Sequence, residues 1–136
     1  MAIRYFSIEE LSRSETARRR DIDNTPPEDA RKNLEALVEN ILDPLRAAYG
    51  KPITVTSGYR CPALNKAVGG VATSDHLTGR AADIVGTPNT KAENRKIFDL
   101  CKKLDLPYRQ LINEKGFSWV HVSYNPAVKE HRAFPV

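Results

Sequence analysis

The segment SDHLTGRAADI, residues 74–84, places His76 and Asp83 seven positions apart, with Gly79 between them. An imidazole nitrogen and a carboxylate oxygen are both suitable ligands for Zn²⁺. A loop residue and a strand residue at this spacing can converge if the loop folds back, and Gly79 lets the backbone turn closely because it has no Cβ. His76 and Asp83 are therefore candidate metal ligands.

A catalytic zinc site needs a third protein ligand and one open coordination position. The chain has three histidines, and His121 lies within WVHVSY, residues 119–124. A histidine among valines is more often a hydrogen-bonded core residue, but His76 and Asp83 have no other partner of the right type. His121 is therefore the candidate third ligand. His131 lies in a polar segment and is expected to be exposed to solvent.

Two helices are predicted in the first part of the chain. Residues 7–10, SIEE, have the pattern of a capping box that opens a short helix. Residues 24–50 predict a longer helix, with Thr25 as its cap and Glu28 completing a second capping box. The apolar residues of this helix recur on one stripe, which must pack against another element. Pro44 is expected to break or kink it.

Strands are predicted in the remainder of the chain. The β-branched residues of PITVTSGYR, residues 52–60, and the apolar run RAADIVG, residues 80–86, each favour a strand. Thr90 is predicted to cap a further helix. RQLINE, residues 109–114, and SWVHVSY, residues 118–124, predict a hairpin around a glycine-containing turn. Helices followed by strands mixed with helices indicate an α+β fold.

The composition fits one compact domain over residues 1–136, with 40% hydrophobic residues. No apolar run approaches the roughly 18 residues that a membrane-spanning helix needs, so we expect no membrane partner. The first residues lack the apolar core of a signal peptide, which predicts synthesis in the cytoplasm. We expect a monomer with two reduced cysteines, Cys61 and Cys101.

The net charge of +4 is mildly basic and favours an anionic partner, either nucleic acid or a cell-wall polymer. The densest basic run, residues 18–20, is followed at once by Asp21 and Asp23. No aromatic residues interleave with it, as a platform for stacking bases would require. The run is therefore interpreted as a solvated helix end, and no nucleic-acid partner is predicted.

On its motifs, the chain resembles the family of zinc D-Ala-D-Ala carboxypeptidases and related murein peptidases, most closely the short single-domain members from bacteria and phages. The resemblance covers most of residues 5–124. It rests on SGYR (57–60), LN (64–65), VGG (68–70), SDHLTGRAADI (74–84), QLI (110–112) and WVHVSY (119–124). It implies zinc as the cofactor, bound by His76, Asp83 and His121. It also implies a small antiparallel sheet with packed helices, a fold shared with the Hedgehog signalling domain.

The resemblance further implies hydrolysis of peptide bonds in peptidoglycan stem peptides. Arg60 matches the family arginine that binds the carboxylate of the substrate, a role for which the planar guanidinium is suited. The alternative is a surface arginine that ends a strand. Ser74 and Gln110 are candidates for binding substrate or orienting a ligand, and both can equally be hydrogen-bonded structural residues.

The sequence departs from the family pattern at the general base. Members of the family commonly carry an acid three positions before the last histidine, and here that position is Ser118. Glu114 is the nearest acid, and a short hairpin turn would place Gln110, Ile112 and Glu114 on the face of His121. Glu114 is predicted to be the base, with an exposed turn glutamate as the alternative.

Three questions of function remain open at this point. The enzyme can be a carboxypeptidase, a dipeptidase or an endopeptidase, and it can serve phage lysis, as an endolysin released by a phage-type route, or bacterial wall remodelling. The absence of an acid at Ser118 favours an alternative, a catalytically inactive zinc-containing binding module of the same fold.

Overall fold

A computed structural model describes residues 4–128 and 130–134 of the chain. The helices are α1 (Ile8–Ser12), α2 (Glu15–Arg19), α3 (Glu28–Leu37), α4 (Asp43–Tyr49), α5 (Pro62–Ala67) and α6 (Lys91–Lys103), with a π-helical segment at Val38–Leu42 and a 3₁₀ segment at Asp75–Thr78. The strands are β1 (Thr54–Ser57), β2 (Ala81–Val85), β3 (Gln110–Glu114), β4 (Trp119–Ser123) and β5 (Arg132–Phe134).

The strands form one five-stranded sheet in the order β1-β2-β4-β3-β5, which confirms the α+β class. The expected small antiparallel sheet is formed by β1 to β4, and β5 extends it at one edge by pairing with β3 in parallel. Ser123 pairs with Gln110, so the chain leaves β4 beside the start of β3. A short connection from that point lets β5 run along β3 in the same direction.

The predicted long helix is present but differs in two details. Thr25 does not cap it, because the Thr25 hydroxyl donates to Asp23 Oδ1 at 2.7 Å and α3 begins only after Pro27. Pro44 does not break the helix, but the helix is irregular directly before it. The backbone N–H of Asp43 donates to the Val38 carbonyl, and this wider π-helical turn precedes the proline. The predicted caps at the start of α1 and α6 are confirmed by hydrogen bonds from their backbone.

The hydrophobic core lies between the helices and one face of the sheet. Val120 and Val122 of β4 are fully buried there together with Ile84 and Leu111, and helices α3, α4 and α6 contribute further residues, among them Leu34, Leu37, Leu45, Ile97 and Cys101. Burial raises the pKa of the Cys101 thiol to about 12. Because side chains alternate along a strand, the opposite face carries the intervening residues, among them His121.

In the described part of the chain, no helix has the length and apolarity to cross a membrane.

Candidate metal centre

Asp83 and His121 lie opposite each other on the two strands β2 and β4. Ser57 pairs with Asp83 from β1, and Ile112 pairs with His121 from β3, so the four residues form one row across the sheet. Residues paired across a ladder project from the same face. The backbone register alone therefore brings the Asp83 carboxylate and the His121 imidazole together.

His76 completes a cluster above this row. Its Nε2 lies 3.4 Å from Asp83 Oδ1, while His121 Nδ1 lies 2.9 Å from the same oxygen. One ligand atom from each of the three residues lies within 4.8 Å of the others. Two ligands on a tetrahedral zinc, each at about 2.1 Å, are about 3.4 Å apart. The distance between His76 Nε2 and Asp83 Oδ1 matches this spacing, and the two imidazoles and the carboxylate are groups that zinc binds.

The 3₁₀ segment Asp75–Thr78 carries His76 and is held at both ends. Ser74 Oγ accepts a hydrogen bond from the His76 backbone N–H at 3.2 Å. Gly79 ends the segment with a φ of 74°, and a Cβ there would lie 2.4 Å from the Ala30 carbonyl oxygen. The close turn that was predicted at this glycine is therefore confirmed, and no other residue fits without moving α3.

The carbonyl of Gly58 orients the ring of His76, which is 2% exposed. His76 Nδ1 lies 2.7 Å from the Gly58 oxygen. A carbonyl can only accept, so Nδ1 carries a hydrogen, and Nε2 is the ring nitrogen that faces Asp83. Gly58 was not identified from the sequence as a site residue. A Cβ at this position would lie 2.0 Å from the Leu11 carbonyl oxygen, so the close packing of the two segments requires glycine.

Two histidines keep the Asp83 carboxyl ionised. Burial by itself raises the pKa of this group, but hydrogen bonds with His121 and His76, together with their charge, outweigh burial. The net result is a pKa well below the usual range of an aspartate. Asp83 is therefore an anionic ligand at neutral pH, as binding of a divalent cation requires.

A cleft of about 450 Å³ opens between helices α1 and α2 and strand β1, and both Asp83 and Arg60 line it. Arg60 Nη2 donates to Ser74 Oγ at 3.3 Å, and its backbone N–H donates to the His76 carbonyl at 3.0 Å. The buried Nε of Arg60 has no partner among the described residues. Burial lowers the pKa of this guanidinium, while the charge of Asp83 acts in the opposite direction.

Gln110 and Glu114 lie on the face of β3 that carries the metal cluster. Ile112, which stands between them along the strand, pairs directly with His121. Glu114 pairs with Trp119, one step nearer the turn, and both Gln110 and Glu114 are half-buried. The predicted placement of Glu114 beside the metal face, towards the turn, agrees with this register.

The turn that follows Glu114 is anchored to α6. Asn94 is fully buried, and its amide donates to the carbonyls of Phe117 and Ser118 at 2.9 and 3.2 Å. Ser118 is exposed, and its hydroxyl donates to the Lys115 carbonyl at 2.8 Å. The hydroxyl of Ser118 is therefore engaged within the turn, in agreement with the view that it does not replace the family acid.

The family model described as peptidase M15 matches residues 4–123. The chain belongs to the peptidase M15 family. None of the curated proteins compared with it matches the sequence. Peptidases of the M15 family depend on zinc, and membership supports a metallopeptidase activity for this chain. His76, Asp83 and His121 are the residues of this M15 domain that can hold the ion.

Other predicted or reactive residues lie outside the cluster. His131 is exposed, as expected, and contacts Asp105 and the ring of Tyr108. Cys61 is half-buried and free. Its backbone N–H donates to Asn24 Oδ1 at 2.8 Å, and it precedes the first residue of α5. Neither residue is part of the metal cluster of this M15 domain.

An ion pair beside the cluster was not identified from the sequence. Arg109 Nη1 lies 2.9 and 3.0 Å from the two carboxylate oxygens of Asp75, the residue before His76. The two partners are 34 positions apart in the chain. No local pattern marks a contact of this kind, because it arises only when the residue that precedes β3 is placed near the 3₁₀ segment.

Proposed function

We propose that this M15 domain is a zinc peptidase that hydrolyses peptide bonds in peptidoglycan stem peptides, as a D-Ala-D-Ala carboxypeptidase or a related murein peptidase. The observation that carries the proposal is the convergence of His76, Asp83 and His121 beside a cleft that Arg60 also lines. In this proposal the chain acts as one domain and as a monomer, and its site of action is the bacterial cell wall.

The three ligands hold the ion, and each has a separate role. His76 and His121 supply neutral imidazole nitrogens, and Asp83 supplies the negative charge. Bound zinc supplies a Lewis acid that lowers the pKa of water and polarises a peptide carbonyl. The hydrogen bond from His76 Nδ1 to Gly58 keeps the ring in the orientation and tautomer that a ligand needs.

Arg60 is proposed to bind the terminal carboxylate of the substrate. Its Nη2 is held by Ser74, while its Nε has no partner among the described residues. A guanidinium with free donors at the wall of a cleft can form two parallel hydrogen bonds with a carboxylate. Ser74 thus positions Arg60 as well as capping the 3₁₀ segment, and Gln110 is proposed to contact the substrate from β3.

Glu114 is proposed to be the general base. It shares the face of the metal cluster and stands two residues along β3 from Ile112, the partner of His121. In this role Glu114 accepts a proton from the attacking water and returns it to the leaving amine. The anchored turn that follows Glu114 limits how far its backbone can move.

The test is product analysis by mass spectrometry after zinc-loaded protein is incubated with purified muropeptides. Loss of one terminal D-alanine would identify a carboxypeptidase, and cleavage within the stem or at a cross-link would identify an endopeptidase. His121→Ala serves as the control that lacks a ligand. Intact muropeptides after incubation with protein that holds zinc would contradict the proposal.

A catalytically inactive zinc-containing binding module is the second candidate, and the serine at position 118 favours it. It predicts that zinc-loaded protein binds muropeptides without cutting them.

Arg60→Lys separates the peptidase types further, because the compact charge of lysine cannot reproduce the two parallel hydrogen bonds that a guanidinium forms with a carboxylate. Its turnover of a short peptide ending in D-Ala-D-Ala should fall if Arg60 binds the terminal carboxylate, and an unchanged rate favours an endopeptidase.

A further inference from the structure

Arg109 stands immediately before β3 and joins two acids from distant parts of the chain. Its Nη1 contacts both carboxylate oxygens of Asp75, and its Nε donates to Glu130 Oε1 at 3.0 Å. The side chains of Arg109, Asp75 and Glu130 are 27%, 15% and 30% exposed. Isolated ion pairs at the surface contribute little, whereas partly buried pairs that form a network are screened less by water and salt.

Asp75 matters because it is the first residue of the segment that carries His76. The Asp75 carbonyl accepts hydrogen bonds from the backbone N–H of Arg80 at 3.0 Å and from Thr78 Oγ1 at 3.2 Å. A segment of four residues has too few internal hydrogen bonds to hold its own position. The carboxylate of Asp75 is therefore the outward anchor of this segment, while the His76 ring is held from the inside.

Arg109 is itself fixed to the sheet that carries the other two ligands. Its backbone N–H donates to the Ser123 carbonyl at 2.7 Å, and its carbonyl accepts from Arg132 at 3.0 Å. Ser123 lies two residues after His121 on β4. The ion pair thus connects the 3₁₀ segment to the strands that set the positions of Asp83 and His121.

We propose that Arg109 is a positioning residue for the metal site, which holds Asp75 and thereby sets where His76 stands relative to Asp83 and His121. The inference rests on the proposed zinc site and concerns the affinity of that site for its ion. It assigns neither Arg109 nor Asp75 a contact with substrate.

The experiment measures the zinc dissociation constant by competition with a chromophoric chelator, beside thermal unfolding of the metal-free protein. Asp75→Asn and Arg109→Gln should each weaken zinc binding about 10-fold, in the range seen when residues that orient ligands are lost. The double variant should bind zinc no more weakly than the single variant with the lower zinc affinity, because both substitutions remove the same contact.

Two variants serve as matched controls. Arg95→Gln breaks an ion pair with Asp99 on α6 in which both side chains are more than half exposed. Glu130→Gln removes the other acid of the same arginine but leaves the contact with Asp75. Both should bind zinc within about threefold of the unaltered protein, less than the change expected on loss of a ligand-orienting contact.

Wild-type zinc affinity in a folded Asp75→Asn protein overturns the inference and leaves the proposed zinc site intact. Equal weakening in all four single variants overturns it as well, because it assigns the effect to general stability. If Arg109→Gln does not fold, Asp75→Asn decides, since it changes the charge and almost nothing of the shape. Failure of the unaltered protein to bind zinc overturns both the inference and the proposed function.

Discussion

The three candidate metal ligands are held by two different kinds of structure. Asp83 and His121 stand on paired strands, and the backbone ladder between β2 and β4 fixes their distance. His76 stands on a 3₁₀ segment of four residues, and its position depends on contacts with Gly58 and Ser74. The strand-borne pair is thus part of the fold, whereas the third ligand is attached to it by individual hydrogen bonds.

This difference predicts that equivalent substitutions have unequal costs. Removal of His121 leaves the backbone bonds of the ladder in place, and the Asp83 carboxylate loses one of its two histidine partners. Removal of His76 also deprives the Gly58 carbonyl of its hydrogen bond, and a buried polar group without a partner is destabilising. Substitution of any of the three residues should therefore weaken zinc binding, whereas the free energy of unfolding should fall mainly on substitution of His76.

The largest effect is expected from the ligands themselves. His121→Ala and His76→Ala should each weaken zinc binding more than about 100-fold, beyond the loss typical of a residue that only orients a ligand. In metal-free protein, His76→Ala should lower the free energy of unfolding by about 1–3 kcal/mol, and His121→Ala should lower it by less. Chelator competition and urea unfolding measure the two quantities. Equal destabilisation by both variants would contradict the comparison.

Substitution of Glu114 tests whether catalysis can be lost while zinc binding is kept. Glu114→Gln keeps the shape of the side chain and removes its proton acceptor, so kcat should fall by about 10²-fold or more. Zinc affinity should not change, because Glu114 is not in the cluster of candidate ligands. The neighbouring Lys115→Gln is the control and should retain activity. Near-full activity of Glu114→Gln would show that the base is another group.

Substitutions at two glycines test whether the position of His76 depends on local contacts that the rest of the fold does not share. Gly58→Ala places a Cβ against the Leu11 carbonyl, so the backbone must move together with the carbonyl that holds His76. We expect a loss of about 1–3 kcal/mol in stability and zinc binding about 10-fold weaker. Gly116→Ala meets open space at a φ of 64°. Gly116→Ala should lower the free energy of unfolding by about 1–2 kcal/mol and leave zinc affinity unchanged. An equal loss of zinc affinity in both glycine variants would contradict the dependence of His76 on local contacts.

The smallest effect is expected on substitution of Glu93, which contacts none of the three candidate ligands. Hydrogen bonds from Lys51, Tyr49 and Lys96 lower the pKa of its carboxyl to about 2 from an ordinary value of 4.5. Because the pKa is lowered on folding, the stabilisation is complete above about pH 4.5 and is lost as the pH falls towards about 2.

Glu93→Gln should therefore lower Tm at pH 6, and the difference from the unaltered protein should shrink as the pH approaches 3. Thermal unfolding across this range measures it. Zinc affinity at pH 7 should be unchanged, because Glu93 contacts none of the ligands. A difference in Tm that stays constant down to pH 3 would contradict the assigned pKa.

The parts of the molecule that follow local patterns could be predicted from the sequence. Alternation along β4 separated His121 from the buried Val120 and Val122, and the hairpin placed Glu114 on the correct face. The proximity of the three candidate ligands was anticipated from residue type and spacing together with the resemblance to a known family. Each of these inferences uses only residues that are close in the chain or directly paired.

The remaining features depend on packing between distant segments. The contact between His76 and the Gly58 carbonyl, and that between Arg109 and Asp75, join residues 18 and 34 positions apart. The same holds for the parallel pairing of β5, which depends on where β4 ends. Thr25 shows a local failure, because Asp23 competes successfully for its hydroxyl.

The order of the strands has a consequence for how the protein is made. Asp83 and His121 are neighbours in the sheet but 38 positions apart in the chain, with α6 and β3 between them. A ribosome releases the first ligands well before His121 emerges, and until then the central pair of strands cannot form. If zinc binds only after β2 and β4 have paired, it should prolong the lifetime of the native state rather than accelerate its formation.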